Sequence, residues 1–249
     1  MNAGVLLYCF NTESYRYDKI AAKTVPLLKK NLKLPITIVT NMETFKELPP
    51  LGMINYKIIE HEKGNKIDNK PWHNLDRWRA YSISPYDKTI LLDIDYFCYT
   101  NSLLELLDVD EDFLVHDKVY DLTGRNAYTF REKSAIPMVW ATCIVFNKSK
   151  KAQEIFDMVG YIKRHYPYFC SLYRIDFRNF RNDYAFAIAL QQLGGFTGYN
   201  TLPTRLPTLP ANAVVKEFSD THIKWEMEGR SGMIENTDVH VIDKGVAYV

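Results

Sequence analysis

Lys88-Thr89-Ile90-Leu91-Leu92-Asp93-Ile94-Asp95-Tyr96-Phe97 is an apolar, β-prone run that carries two carboxylates, one residue apart, to its own C-terminal end. In extended backbone, alternate side chains share a face, so Asp93 and Asp95 point the same way if the strand persists or turns gently. Two carboxylates so placed repel unless a cation or a proton lies between them. The Ile and Leu residues before them show no polar alternation, as in a central strand covered on both faces of a mainly parallel sheet. In open α/β sheets, ligands bind beyond the carboxyl ends of such strands. A hard divalent cation, Mn2+ or Mg2+, itself holding phosphates, suits the pair. The competing reading is an acidic turn capping a helix that starts at Asn101-Ser102. Capping needs only one acid and no buried strand ahead of it.

The rest of the chain frames that strand. At 249 residues the expectation is a single domain, and 47% hydrophobic residues, including 17 Tyr, 13 Phe and 4 Trp, supply its core with aromatics left over for a cleft. The net charge of +1 selects no polyanionic partner, leaving that to local patches. Cys9, Cys98, Cys143 and Cys170 are widely spaced and show no C-x-x-C pattern, so they read as reduced core residues of a cytoplasmic protein. The run Val5-Leu6-Leu7 lacks a basic lead segment and a cleavage site, and no run approaches the roughly 20 apolar residues of a membrane span.

Along the chain, strands are expected at 4–10, 36–40, 56–60 and 89–93. A helix over 18–32 places Ile20, Ala21, Val25, Leu28 and Leu32 on one face, with Pro26 as a kink. Lys70-Pro71-Trp72 opens a second helix, which turns Leu75, Trp78 and Ser82 inward. This order of strands and helices predicts a Rossmann-like half. Further strands are expected at 112–116, 140–146 and 238–243, and helices at 150–162 and 183–193, the latter stopped by Gly194-Gly195. The segment 118–137 shows no periodicity, and 203–210 reads as a proline-punctuated loop.

Several features together resemble the GT-A glycosyltransferases, and within them the retaining group that includes glycogenin and the lipopolysaccharide galactosyltransferases. They are the Rossmann-like half, the Asp-x-Asp strand, the later strand ending Phe146-Asn147, the helix opening Asn182-Asp183 and the final apolar-His-apolar strand. The resemblance spans nearly the whole chain. It implies an α/β fold with a central, mainly parallel sheet flanked by helices. Residues 1–100 would form a nucleotide-binding half and 101–249 an acceptor-binding half. It also implies that Asp93, Asp95 and His240 bind Mn2+ or Mg2+, the histidine nitrogen favouring Mn2+. Phe10, Asn11, Thr12 and Ile94 would line the nucleotide, and Asp93 would also approach the ribose. Lys244 would grip the diphosphate, and one of Lys70, Arg77 and Arg79 would serve the phosphates or the sugar. Asn182 and Asp183 would touch the donor sugar at the reaction centre. Plainer readings stand beside these: a core histidine at His240, surface ion pairs for the three cations, and an N-cap at Asn182-Asp183. His222 is a weaker metal candidate.

The chain departs from the family where Gly245-Val246 follows Lys244 in place of a later Lys-Pro-Trp. It departs again where Trp140-Ala141-Thr142 stands for Asn-Ala-Gly, which puts the acceptor contact on that strand in doubt. The implied activity is metal-dependent transfer of a sugar from a nucleotide-sugar, a UDP-sugar by resemblance, to a hydroxyl acceptor. No isolated acid marks a general base, so retention is the reading taken. The acceptor is a glycan, or a hydroxymethylated DNA base met by the basic and aromatic stretch that starts at Tyr161 and runs to residue 182, which interleaves Lys163, Arg164, His165, Arg174, Arg178 and Arg181 with Tyr166, Tyr168, Phe169, Tyr173, Phe177 and Phe180. Two alternatives remain. One is a haloacid-dehalogenase-like phosphatase with Asp93 as nucleophile, against which stand Tyr96-Phe97 and the motif's place on the fourth strand. The other is a noncatalytic nucleotide-sugar binding module.

Overall fold

Every residue from Val5 to Leu7, from Ile36 to Thr40 and from Thr89 to Leu92 is buried, because these strands are covered on both faces. The computed structural model describes residues 2–60, 66–67, 70–71, 75–124, 134–176 and 179–249, without the side chains of 66–67 and 70–71. The chain begins with β1 (Ala3–Tyr8), α1 (Tyr17–Asn31), β2 (Ile36–Thr40), α2 (Met42–Glu47) and β3 (Asn55–Ile58). The short β4 (Lys66–Ile67) and β5 (Lys70–Pro71) pair with each other. A 3-10 turn over Arg77–Arg79 leads into α3 (Ala80–Ile83), then β6 (Lys88–Asp93) and β7 (Tyr96–Phe97). A 3-10 turn at Ser102–Leu107 precedes β8 (Phe113–His116), β9 (Val119–Asp121) and β10 (Trp140–Asn147). Next come α4 (Lys150–Arg164), α5 (Tyr166–Tyr173) and α6 (Asn182–Leu193). β11 (Leu206–Leu209), β12 (Val214–Phe218), β13 (His222–Met227), β14 (Arg230–Glu235) and β15 (Val239–Val241) follow, and a 3-10 turn over Lys244–Tyr248 ends the chain.

The main sheet runs β3-β2-β1-β6-β10-β8. β3, β2, β1 and β6 are parallel, while β10 is antiparallel to both β6 and β8. Strand alternation splits the core in two. Val5, Leu7, Ile38, Ile90, Leu92 and Cys143 pack with α1 on one side; Leu6, Val39, Leu91, Ile144 and Phe146 pack with α4 and α6 on the other. The fold is thus α/β around a central, mostly parallel sheet. A second sheet, β7-β15-β11-β9, lies beyond the carboxyl end of β6, where Ile94 and Asp95 form the turn into β7.

Three expectations are corrected. Lys70-Pro71 does not open a helix: both residues lie in β5, Trp72 is outside the described residues, and helical backbone starts at Arg77. The segment 203–210 is not all loop, since β11 runs through Pro207. β11 meets β15 only from Thr208 onward, so no β15 pairing asks Pro207 for the N–H it lacks. Val119–Asp121 is a strand inside the segment read as aperiodic, beside β11. The meander β12-β13-β14 had no place in the expected elements. Its turn at Glu228-Gly229, φ 49° and 76°, has positive φ at both central residues, as in a type I′ hairpin.

Candidate active site

β6 is buried up to Leu92 and releases its carboxylates where the main sheet meets the second one. One ligand atom from each of Asp93, Asp95 and His240 can be chosen so that all lie within 4.8 Å of one another. Asp95 is 4% exposed and is tied in place by Val241 N, which donates to its carbonyl at 3.0 Å. His240 arrives from β15 and puts Nε2 3.6 Å from Asp95 Oδ1. Burial alone would push the Asp95 carboxyl up, but Lys244 and His240 outweigh it and hold the carboxyl below its usual range. Burial lowers His240, against the pull of both aspartates, and so favours the neutral ring a metal requires. Two carboxylates and an imidazole, with Nδ1 of that imidazole buried and without a partner among the described residues, fit a first-row divalent ion such as Mn2+.

Two cations attend the aspartates. Lys244 pairs with Asp95 and lies 6.0 Å from the centre of the Tyr17 ring; burial would lower it, but Asp95 raises it further, so it is an ammonium. Arg77, 7% exposed, pairs with Asp93 and donates through its other terminal nitrogen to the Thr142 carbonyl at 3.3 Å. Of the three basic candidates, Arg77 is the one at the carboxylates. Arg79 faces Asp76 at 3.4 Å, and the Lys70 side chain lies outside the described residues. The capping reading of the acids finds no support. Asn101 makes no side-chain cap, and Thr100 and Ser102 bond Asp238 instead.

Asp183 does not cap α6 either. Its Oδ1 accepts from Ala141 N on β10 at 3.0 Å and its Oδ2 from Arg181 at 3.1 Å, tethering the helix start to the beginning of β10. Asn182 next to it is 8% exposed. At the end of β1, Asn11 accepts from Asp18 N at 2.9 Å and donates to Glu47, while the Thr12 hydroxyl accepts from Ser14 N and Tyr15 N. Both side chains are thus spent on holding the loop at the end of β1. Ile94 is buried and its carbonyl accepts from Thr24. His222 sits on the meander with Glu217 at 3.0 Å, apart from the cluster. Tyr17 and the Thr142 carbonyl escaped sequence reading. So did His116, pushed down to about 4 by burial; its place at the carboxyl end of a buried strand was the available signal.

The fold is that of the GT-A glycosyltransferases. An active-site variant of the galactosyltransferase LgtC is similar at a TM-score of 0.54 and 16% identity, over 84% of this chain and 76% of that one. LgtC in complex with donor and acceptor sugar analogues is similar over the same shares, at a TM-score of 0.51 and 16% identity. Mouse xyloside xylosyltransferase 1, in its apo form, is similar over 81% of this chain and 84% of that one, at a TM-score of 0.51 and 12% identity. No protein-family profile matches the chain, and no curated protein sequence does.

Proposed function

We propose that this chain is a metal-dependent glycosyltransferase that moves a sugar from a UDP-sugar to a hydroxyl of a glycan, with retention at the transferred carbon. The observation that carries the reading is the convergence of Asp93, Asp95 and His240 beyond the carboxyl end of β6, in a fold shared with glycosyltransferases. Cleaving the bond between sugar C1 and diphosphate oxygen builds positive charge on the sugar and negative charge on the leaving group. A divalent ion held by the three residues would supply Lewis-acid charge to that leaving group. Lys244 binds the diphosphate through its ammonium, and Arg77 holds Asp93 in its ligating orientation. Asp183, whose oxygens accept from Ala141 and Arg181, is held as an ionised carboxylate that positions the donor sugar with Asn182 through its remaining lone pairs, a sugar-binding role in place of a general base. That favours retention. Residues 1–100 hold the nucleotide, as one half of a single domain, and 101–249 the acceptor.

A glycan fits better than DNA. Tyr166, Phe169, Tyr173 and Phe180 of the basic and aromatic stretch are buried, which leaves Tyr161 and Tyr168 as its exposed rings among the described residues. The interleaving comes from helices that bury one face and charge the other. The test is donor hydrolysis with Mn2+ across UDP-, GDP- and CMP-sugars. Release of UDP from one donor, lost in Asp95→Ala, supports the reading. Donor binding without release would indicate a binding module, and turnover of a phosphate monoester through Asp93 a phosphatase.

A further inference from the structure

A histidine that ligates a metal through one ring nitrogen has the other left over, and that atom needs an acceptor to fix the tautomer and the ring plane. In His240 the nitrogen facing the carboxylates is Nε2, 3.6 Å from Asp95 Oδ1. The one left over is Nδ1, buried and with no hydrogen-bond partner among the described residues. β11 pairs in parallel with two strands, placing Thr208 opposite His240 on one side and opposite Asp121 on the other. Residues paired in this way share a face of the sheet. Asp121 is 7% exposed. Its Oδ1 accepts from Thr123 N at 2.8 Å and from the Thr123 hydroxyl at 2.7 Å, whereas Oδ2 is buried and has no partner among the described residues. An unpaired donor and an unpaired carboxylate oxygen therefore flank one rotatable hydroxyl. That hydroxyl, on fully buried Thr208, makes only a long 3.3 Å contact to the Leu206 carbonyl. Buried polar atoms left unsatisfied are costly, and turning the Thr208 side chain about its Cα–Cβ bond, at the expense of the long Leu206 contact, carries Oγ1 toward both neighbours so that two of them are satisfied.

We infer that Asp121 is a positioning residue for His240: Nδ1–H donates to Thr208 Oγ1, and the Thr208 hydroxyl donates to Asp121 Oδ2, so that Nε2 is presented to a divalent cation. No bond to hydrogen breaks in this relay. The inference rests on the reading of Asp93, Asp95 and His240 as a metal site. It also gives β9, on the far side of the second sheet, a part in setting metal preference, because an imidazole nitrogen favours Mn2+ over Mg2+.

The test uses the full chain, with Mn2+ binding followed by loss of the free-ion EPR signal and Mg2+ binding by competition. Asp121→Ala and Thr208→Val are expected to weaken Mn2+ about 10- to 100-fold and Mg2+ much less. Thr208→Ser, which keeps the hydroxyl, restores Mn2+ affinity. In a His240→Ala background, adding Asp121→Ala changes nothing further, as required of a residue that acts only through the imidazole. Unchanged Mn2+ affinity in Thr208→Val, or additive losses in the double variant, overturns the inference. If Asp121→Ala does not fold, the Thr208 pair decides alone. Failure of the unmodified chain to bind Mn2+ overturns the metal site itself, and this inference with it, which is a distinguishable result.

Discussion

Arg77 ties the end of β6 to β10 with one side chain. Its guanidinium reaches the Asp93 carboxylate and the Thr142 carbonyl at once, which a lysine ammonium cannot do with the same geometry. Arg77→Ala is expected to cost about 2 kcal/mol in urea unfolding. That is less than the 3–5 kcal/mol typical of breaking a fully buried pair, because the Asp93 side chain is 33% exposed. Arg77→Lys should recover less than half of the loss; full recovery would mean that only charge matters there. At this scale Asp93 and Asp95 were legible because strand-end carboxylates have a chemical signature, whereas His240, by itself an ordinary core histidine, was singled out only through the resemblance to the GT-A group. The choice of Arg77 over Arg79 or Lys70 was not legible, since it depends on which way a three-residue 3-10 turn aims each side chain. The structural part of Asp183 was not legible either: it bonds a β10 backbone amide and, among the described residues, does not cap α6.

Elements position these residues through close contacts. A Cβ on Gly160 of α4 would lie 2.7 Å from the Trp78 ring, and Trp78 is the neighbour of Arg77 on the 3-10 turn. Gly160→Ala gains up to about 1 kcal/mol of helix propensity but overpacks the ring at a cost of about 1–3 kcal/mol. The expected result is a Tm lowered by a few degrees, together with weaker Mn2+ binding as Arg77 shifts. A raised Tm with unchanged binding would show that Trp78 yields freely. At the start of α1, Asp18 is buried, which opposes its ionisation, yet the two-pronged Arg16 contact holds its carboxyl below the usual 3.8. The unfolded chain therefore binds the proton first as pH falls, so the stabilisation is complete above about pH 4 and is lost as pH drops through the lower folded value. Asp18→Asn should be less stable than the unmodified chain at pH 7, with the gap closing below pH 4; a gap independent of pH would contradict this. The meander β12-β13-β14 was missed although Ile223, Trp225 and Met227 alternate with charged residues. Its turn is Glu-Gly rather than Asn-Gly, a weaker hairpin signal. Pro207 hid β11, because whether a proline can join a strand depends on which neighbour would need its N–H, and that is a property of the register.

For the whole molecule, the main sheet was readable from its apolar strand centres: Val5–Leu7 and Ile90–Leu92 are unbroken apolar runs, and only threonine interrupts Ile36–Thr40. Of the second sheet only β15 was readable, within 238–243; its partners were not, because β7 and β9 are two and three residues long and pair with segments far away in the chain. Yet that sheet brings His240 to the end of β6 and makes the aspartate pair a candidate metal centre. Among the described residues, no helix is long and apolar enough to cross a membrane. The most direct test of the account is release of UDP from UDP-sugars by the purified chain with Mn2+, beside Asp95→Ala and a metal-free control. The account predicts slow release from one donor that needs the metal and disappears in the variant. Release that persists without metal or in Asp95→Ala, or none from any donor despite Mn2+ binding, would contradict it.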